Sequence, residues 1–322
     1  PVLDLLNAKG EKLPMRAVKA ASGATLLDLR ASQEADYVLR LHDLAFAGGA
    51  EYAYRLLISQ APFLETASSV ILQAGGRRKV TLFGRQLPQG RASLTKGLDG
   101  MDLEELEVEI DVPQQAQSWG DGRPRTSGFD IDGFSFRLQS PNGPSNAIVF
   151  GLSNSAPVVE PVAANASGAA PEKRFEGPAI LSGHFYPRGD VDRWTFEVKK
   201  GEVWRLEVVS HRLGLPTNPM LLVQKNGSDV AEAWGPDADM GGLFLPLPTN
   251  DPTLRFEAKD DGAYTISVRD LSGMQASNPA TAYALVVRKE TPDFRLLASV
   301  LPPPEITAQV ISEIGRASCR ER

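Results

Sequence analysis

Asp190 and Asp192 stand two apart, just ahead of the aromatic run Trp194-Thr195-Phe196. Residues at i and i+2 of an extended chain share a face, so both carboxylates can project from one loop or one side of a strand. Hard cations such as calcium take several oxygen ligands, often from such a pair. The structural alternative has Asp190 accepting backbone N–H bonds in a turn and Asp192 serving as a strand residue. Asp237 and Asp239 repeat the spacing and read as a solvated loop. Asp130-Ile131-Asp132-Gly133 resembles the start of a calcium loop but lacks its downstream Glu. None of the histidines, His42, His184 and His211, lies in a His-Glu-x-x-His arrangement or beside a Gly-x-Ser-x-Gly elbow. Ser93-Leu94-Thr95-Lys96 matches Ser-x-x-Lys by chance, since no Lys-Thr-Gly accompanies it.

Three tryptophans bear on binding, because an exposed indole can serve as a platform for a sugar ring. Trp194 alternates with Phe196, and Trp204 with Leu206 and Val208, which puts both on apolar faces. Trp234, between Ala233 and Gly235 in what reads as a loop, is the platform candidate. Its alternative role is to anchor that loop over a core.

Strands must carry these residues. Leu106, Val108, Ile110 and Val112 alternate with Glu105, Glu107, Glu109 and Asp111, giving one apolar and one solvated acidic face. Val203–Val209 and Tyr264–Val268 read alike, rich in aromatic and β-branched residues. Asn142-Gly143, Lys200-Gly201, Asn226-Gly227 and Asp261-Gly262 are turn signals between such runs. With 24 Pro, 29 Gly and weak helical periodicity, the fold class expected is all-β, built of tandem sandwiches.

One stretch occurs twice. Leu27–Leu44 returns as Leu254–Leu271 at a constant offset of 227, and Tyr52–Leu56 then matches Thr281–Leu285 after a two-residue insertion. Pro1-Val2-Leu3 likewise matches Pro219-Met220-Leu221. A repeat at this distance implies a duplicated domain, whose first copy begins part-way through. The expected organisation is the back half of one sandwich over 1–59, an immunoglobulin-like unit over 60–157, a small-residue linker over 158–173, a complete sandwich over 174–292, and the start of a further element over 293–312. Residues 313–322 read as translated sequencing-adapter sequence. They hold three Arg, two Glu and the one Cys, so without them 34 basic and 40 acidic residues become 31 and 38. An acidic, cysteine-free chain argues against a phosphate-tracking nucleic-acid surface, disulfides and thiolate metal sites. No apolar run reaches the roughly 18 residues needed to span a membrane.

Leu181-Ser182-Gly183-His184-Phe185, Gly189-Asp190-Val191-Asp192-Arg193-Trp194-Thr195-Phe196 and Asp260-Asp261-Gly262-Ala263-Tyr264-Thr265-Ile266 occur in the order seen in the bacterial pre-peptidase C-terminal domain. The second copy resembles that family over about 115 residues and the first over about 55. The resemblance implies a non-catalytic, jelly-roll-like sandwich of secreted bacterial proteins, often appended to proteases. Relatives in collagenases bind calcium through a Glu-x-Asn at the domain entrance and loop Asp residues. The corresponding candidates are Glu160, Asp190 and Asp192, with Asn165 displaced from the motif. Gly75–Leu87 resembles an immunoglobulin-like unit of the IPT/TIG kind.

The functional expectation is a non-enzymatic binding or spacing segment of a secreted or surface protein, with an extracellular polysaccharide or protein as partner. Two alternatives stand beside it: an accessory region of a secreted peptidase, and a carbohydrate-binding sandwich using Trp234.

Overall fold

The computed structural model describes residues 2–14, 17–19, 25–29, 31, 33–117, 131–160, 172–235, 238–239, 248–272, 278–292, 294–297 and 318–321. The first segment carries β1 (Val2–Asn7), β2 (Val18–Lys19), β3 (Thr25–Leu26) and β4 (Tyr37–His42). The middle unit carries β5 (Phe63–Ala67), β6 (Ile71–Gln73), β7 (Arg77–Arg85), β8 (Arg91–Lys96), β9 (Asp102–Asp111), β10 (Gly133–Phe136) and β11 (Ile148–Ser153). The large sandwich begins with β12 (Val158–Val159), β13 (Lys173–Arg174), β14 (Ala179–His184), β15 (Asp192–Val198), β16 (Val203–Val209) and β17 (Pro219–Lys225). It continues through β18 (Ser228–Trp234), β19 (Ala238–Asp239), β20 (Pro248–Thr249), β21 (Thr253–Glu257), β22 (Gly262–Asp270) and β23 (Ala282–Lys289). Last, β24 (Phe294–Leu297) pairs antiparallel with β25 (Ser318–Glu321). The described residues contain no α-helix, only a 3-10 turn at His211–Leu213.

The middle unit opposes a four-stranded sheet, β5-β7-β9-β8, to a three-stranded one, β10-β11-β6. Its alternation is as the sequence predicts: Ile110 and Val112 are buried, while Glu107, Glu109 and Asp111 face solvent. Cross-strand charges cover that outer face, with Lys79 bonded to Glu107 at 3.3 Å and Arg77 to Asp111 at 3.0 Å. Leu64, Val80, Leu82, Phe134 and Phe150 fill the space between the sheets.

The large sandwich has two five-stranded sheets, β12-β14-β23-β16-β21 and β13-β15-β22-β17-β18. Trp194, Phe196, Trp204, Leu206, Tyr264, Ile266, Tyr283 and Leu285 pack between them, as their alternation requires. Asn226 and Gly227 turn β17 into β18 with φ of 50° and 77°. Positive φ at both positions is what a tight hairpin of matching twist needs, and Asn-Gly meets it at little steric cost. Val158, Val159 and Lys173, at the two ends of the stretch expected to be linker, belong instead to the sandwich. β12 pairs parallel with β14, and β13 parallel with β15.

Residues of the sequence repeat lie in two antiparallel strand pairs. Leu3 faces Leu41 on β1 and β4 as Leu221 faces Val268 on β17 and β22. Val2 likewise faces His42 as Met220 faces Arg269. The correspondence fails at Tyr52–Leu56, which forms no strand, whereas the matching Ala282–Leu285 lies in β23. β23 is held between β14 and β16, and no strand among the described residues flanks 51–60. Without partners, the backbone groups of a lone strand gain nothing over hydration. Tyr54, Leu57 and Ile58 are accordingly exposed.

The middle unit packs directly on the large sandwich. Val70 and Ile71 meet Val209, Leu213, Ala282 and Ala284 in one apolar cluster. Ser69 donates to Ser182 at 3.1 Å, and the Lys96 backbone N–H donates to the Tyr186 hydroxyl at 3.0 Å.

Candidate functional site

Asp192 opens β15 with its side chain turned into the sandwich, where it is fully buried. Glu160 follows β12 and is buried too. The structure therefore brings together two of the three carboxylates that the sequence offers as metal ligands. Lys173, from the neighbouring β13, meets both. Its Nζ donates to Glu160 Oε1 and, at 3.1 Å, to Asp192 Oδ1. The same ammonium lies 4.7 Å from the centre of the Trp194 ring, a favourable cation–π distance.

The other Asp192 oxygen accepts from Tyr283, whose hydroxyl donates at 2.7 Å. That hydroxyl in turn accepts the Trp194 indole N–H at 2.9 Å. Gly183 on β14 makes room for the cluster. A Cβ there would stand 2.7 Å from the Tyr283 hydroxyl, 2.8 Å from Glu160 Oε2 and 2.9 Å from Asp192 Oδ2. Burial first, and next the Glu160 carboxyl beside it, push the Asp192 carboxyl well above its ordinary range, against the pull of Lys173. Burial, and then Asp192, also push the Tyr283 hydroxyl up. The Lys173 ammonium donates to both carboxyls and the Tyr283 hydroxyl to one of them, so the cluster is a polar clasp across both sheets.

Asp190 lies in the preceding loop, partly exposed, and its backbone N–H donates to Pro187 O at 3.1 Å. Asn165, Asp130 and Asp237 fall outside the described residues, as does the side chain of Asp239. Glu160 and Asp192 as placed do not fit a divalent ion, because the Lys173 ammonium already stands between them. Among the described residues no group of three or more His, Cys, Asp and Glu side chains could hold a metal ion.

Trp234 ends β18 rather than lying in a loop, and is 43% exposed. β18 is the edge strand of its sheet, and Val230 on the same strand is 40% exposed. Trp194 and Trp204 are core residues. His42 stacks on Phe46 with ring centres 4.7 Å apart. Ser93 and Lys96 lie on β8, away from any helix.

Three buried groups escape sequence reading. His184 is enclosed where the two units meet, with Nε2 2.9 Å from Ala67 O and 3.3 Å from Thr66 Oγ1. Since a carbonyl only accepts, Nε2 carries the proton, and burial lowers the ring's pKa to about 4. Arg85 is ringed by Asp28 at 3.1 Å, Glu65 at 3.2 Å and Asp99 at 2.9 Å. Arg212 bonds Asp251 at 3.0 Å and Glu207 at 2.8 Å. Asp251 also accepts the backbone N–H groups of Ser210, His211 and Arg212. The sequence signal for all three is faint, since Ala67, Asp28 and Asp251 lie 117, 57 and 39 residues from their partners.

No protein-family model matches the chain, and neither does any curated protein. Several solved structures resemble parts of it. The pre-peptidase C-terminal domain of a Bacillus anthracis collagenase aligns at 16% identity over 38% of this chain and 100% of its own, with a TM-score of 0.28. Aeromonas hydrophila PliG, a periplasmic lysozyme inhibitor, aligns at 14% identity over 37% of this chain and 100% of its own, with a TM-score of 0.26. Bacteroides ovatus SGBP-B, solved with a mixed-linkage heptasaccharide, aligns at 13% identity over 95% of this chain and 65% of its own, with a TM-score of 0.21. At these values nothing about function transfers to the chain. No helix among the described residues is long and apolar enough to cross a membrane.

Proposed function

We propose that the chain is a non-catalytic binding or spacing segment of a secreted or cell-surface bacterial protein, holding β-sandwiches in a fixed relation. The observation that carries this reading is the junction between the middle unit and the large sandwich. An apolar cluster containing Val70, Ile71, Val209 and Leu213, together with buried polar contacts from Ser69 and Thr66, joins the two. Flexible tethers do not bury their joints in this way. The buried ionic clusters favour a structural role as well, because the described carboxylates, lysine and arginines in them are bonded to one another rather than aimed into a cleft.

Small-angle X-ray scattering of the whole chain tests this. A rigid pair gives one scattering profile that a single arrangement of the two units fits. Leu213→Asp, which places a charge in the joint, broadens the distance distribution. A wild-type profile that only an ensemble of arrangements can fit would reject a rigid spacer.

The exposure of Trp234 at a sheet edge favours a second reading, in which the sandwich also binds polysaccharide. Binding to a panel of polysaccharides, lost in Trp234→Ala while the fold is kept, would support it. Binding that survives the substitution, or none at all, removes it. A peptidase domain elsewhere in the parent protein, the remaining alternative, is compatible with either reading.

A further inference from the structure

We propose that the Lys173 ammonium is the resident cation of the large sandwich, standing where a divalent metal would otherwise bridge Glu160 and Asp192. The inference begins with what the clasp joins. Glu160 follows β12, the edge strand of one sheet, and Asp192 opens β15 in the other. Lys173 lies on β13, at the edge of that second sheet. Tyr283, on β23 of the first sheet, completes the ring of contacts through Asp192. The cluster therefore fastens both short parallel strands to the body of the fold.

Two facing carboxylates from different sheets repel unless something positive stands between them. A hard cation would do this with oxygen ligands. An ammonium does it with N–H donors, and Lys173 directs one to each acid. Three details suit a lysine rather than an ion. The Trp194 ring flanks the ammonium, and an aromatic face attracts a cation but supplies no oxygen ligand. Tyr283 donates to Asp192 Oδ2 and so occupies an oxygen a metal would need. The Lys173 side chain is 20% exposed, so its stem reaches the clasp from the rim without burying an empty path behind it. A covalently attached cation cannot be diluted away or chelated. The docking of β12 and β13, and with it the approach from the middle unit, thus becomes independent of ambient calcium.

The experiment is thermal unfolding of the whole chain in chelator, in calcium and in magnesium, for wild type and Lys173→Met. Methionine keeps most of the stem and removes the charge. The expected result is one wild-type midpoint in all three solutions and a lower midpoint for Lys173→Met. A wild-type midpoint that falls in chelator would show a metal at work and overturn the proposal. So would a Lys173→Met midpoint equal to the wild type. Should the variant not fold, the wild-type comparison still decides, together with the Lys173 ammonium signal in a nitrogen-15 spectrum. A protected, slowly exchanging ammonium is expected, and one exchanging freely with water overturns the assignment.

Discussion

The indole N–H of Trp194 donates to the hydroxyl of Tyr283 at 2.9 Å, and that hydroxyl passes its own proton toward Asp192 at 2.7 Å. One phenol thus satisfies a buried donor and a buried acceptor at once. Tyr283→Phe removes both bonds and leaves the indole N–H without its partner. A buried polar group so abandoned costs roughly 1–3 kcal/mol, which urea unfolding will register as a lower midpoint. Tyr54 occupies the matching place in the sequence repeat but is 72% exposed. Tyr54→Phe should therefore stay within about 0.5 kcal/mol of wild type.

His184 makes the joint between the units sensitive to acid. Its ring titrates near 6.5 in an unfolded chain and near 4 when enclosed beside Ala67. Between those values the unfolded state binds more protons, so stability rises with pH there. The contribution is complete above pH 6.5 and is lost as pH falls toward 4, by about 3 kcal/mol for a shift of this size. His184→Gln keeps a donor for the Ala67 carbonyl and should flatten the stability profile over that window. Equal slopes for wild type and variant, measured by denaturant melts at several pH values, would contradict the assignment.

Arg85 holds three carboxylates contributed by distant parts of the chain, Asp28 among them from the first segment. Arg85→Met strands those charges near one another in a buried setting. Breaking a buried ion cluster from one side costs about 3–5 kcal/mol, so the variant should lose much of the domain's margin in thermal unfolding. Asp28→Asn removes only one of three acceptors and should cost less. An Arg85→Met midpoint matching wild type would mean that the cluster is idle.

What was legible in the sequence follows local periodicity. Trp194 with Phe196, and Trp204 with Leu206 and Val208, declare their faces within a few residues, and the core lies where they point. The Asn226-Gly227 turn is equally local. The partners of Asp192 were hidden, because Lys173 sits beside a stretch whose small residues resemble a tether. Its pairing with β15 emerges only when two edge strands close on the same end of the sandwich. His184 and Arg85 stayed hidden for the same reason: their partners lie 117 and up to 57 residues away. Gly235 makes the stretch around Trp234 read as a loop, yet the hairpin carries the strand up to that residue. Tyr52–Leu56 shows the converse, a strand-like sequence without neighbours to pair with.

The pairing of β12 has a topological consequence. Val158 lies level with Leu181, and Leu181 with Leu285 on the antiparallel β23. The chain therefore enters the large sandwich at the same end of the sheet from which it leaves after Lys289, with only β14 between. At about 4.8 Å per strand step, Val158 and Leu285 are roughly 10 Å apart across the sheet. A domain whose doorways adjoin can be grafted into a surface loop of another protein without prying that loop open. It can also hang from a longer polypeptide as a pendant, adding little to contour length.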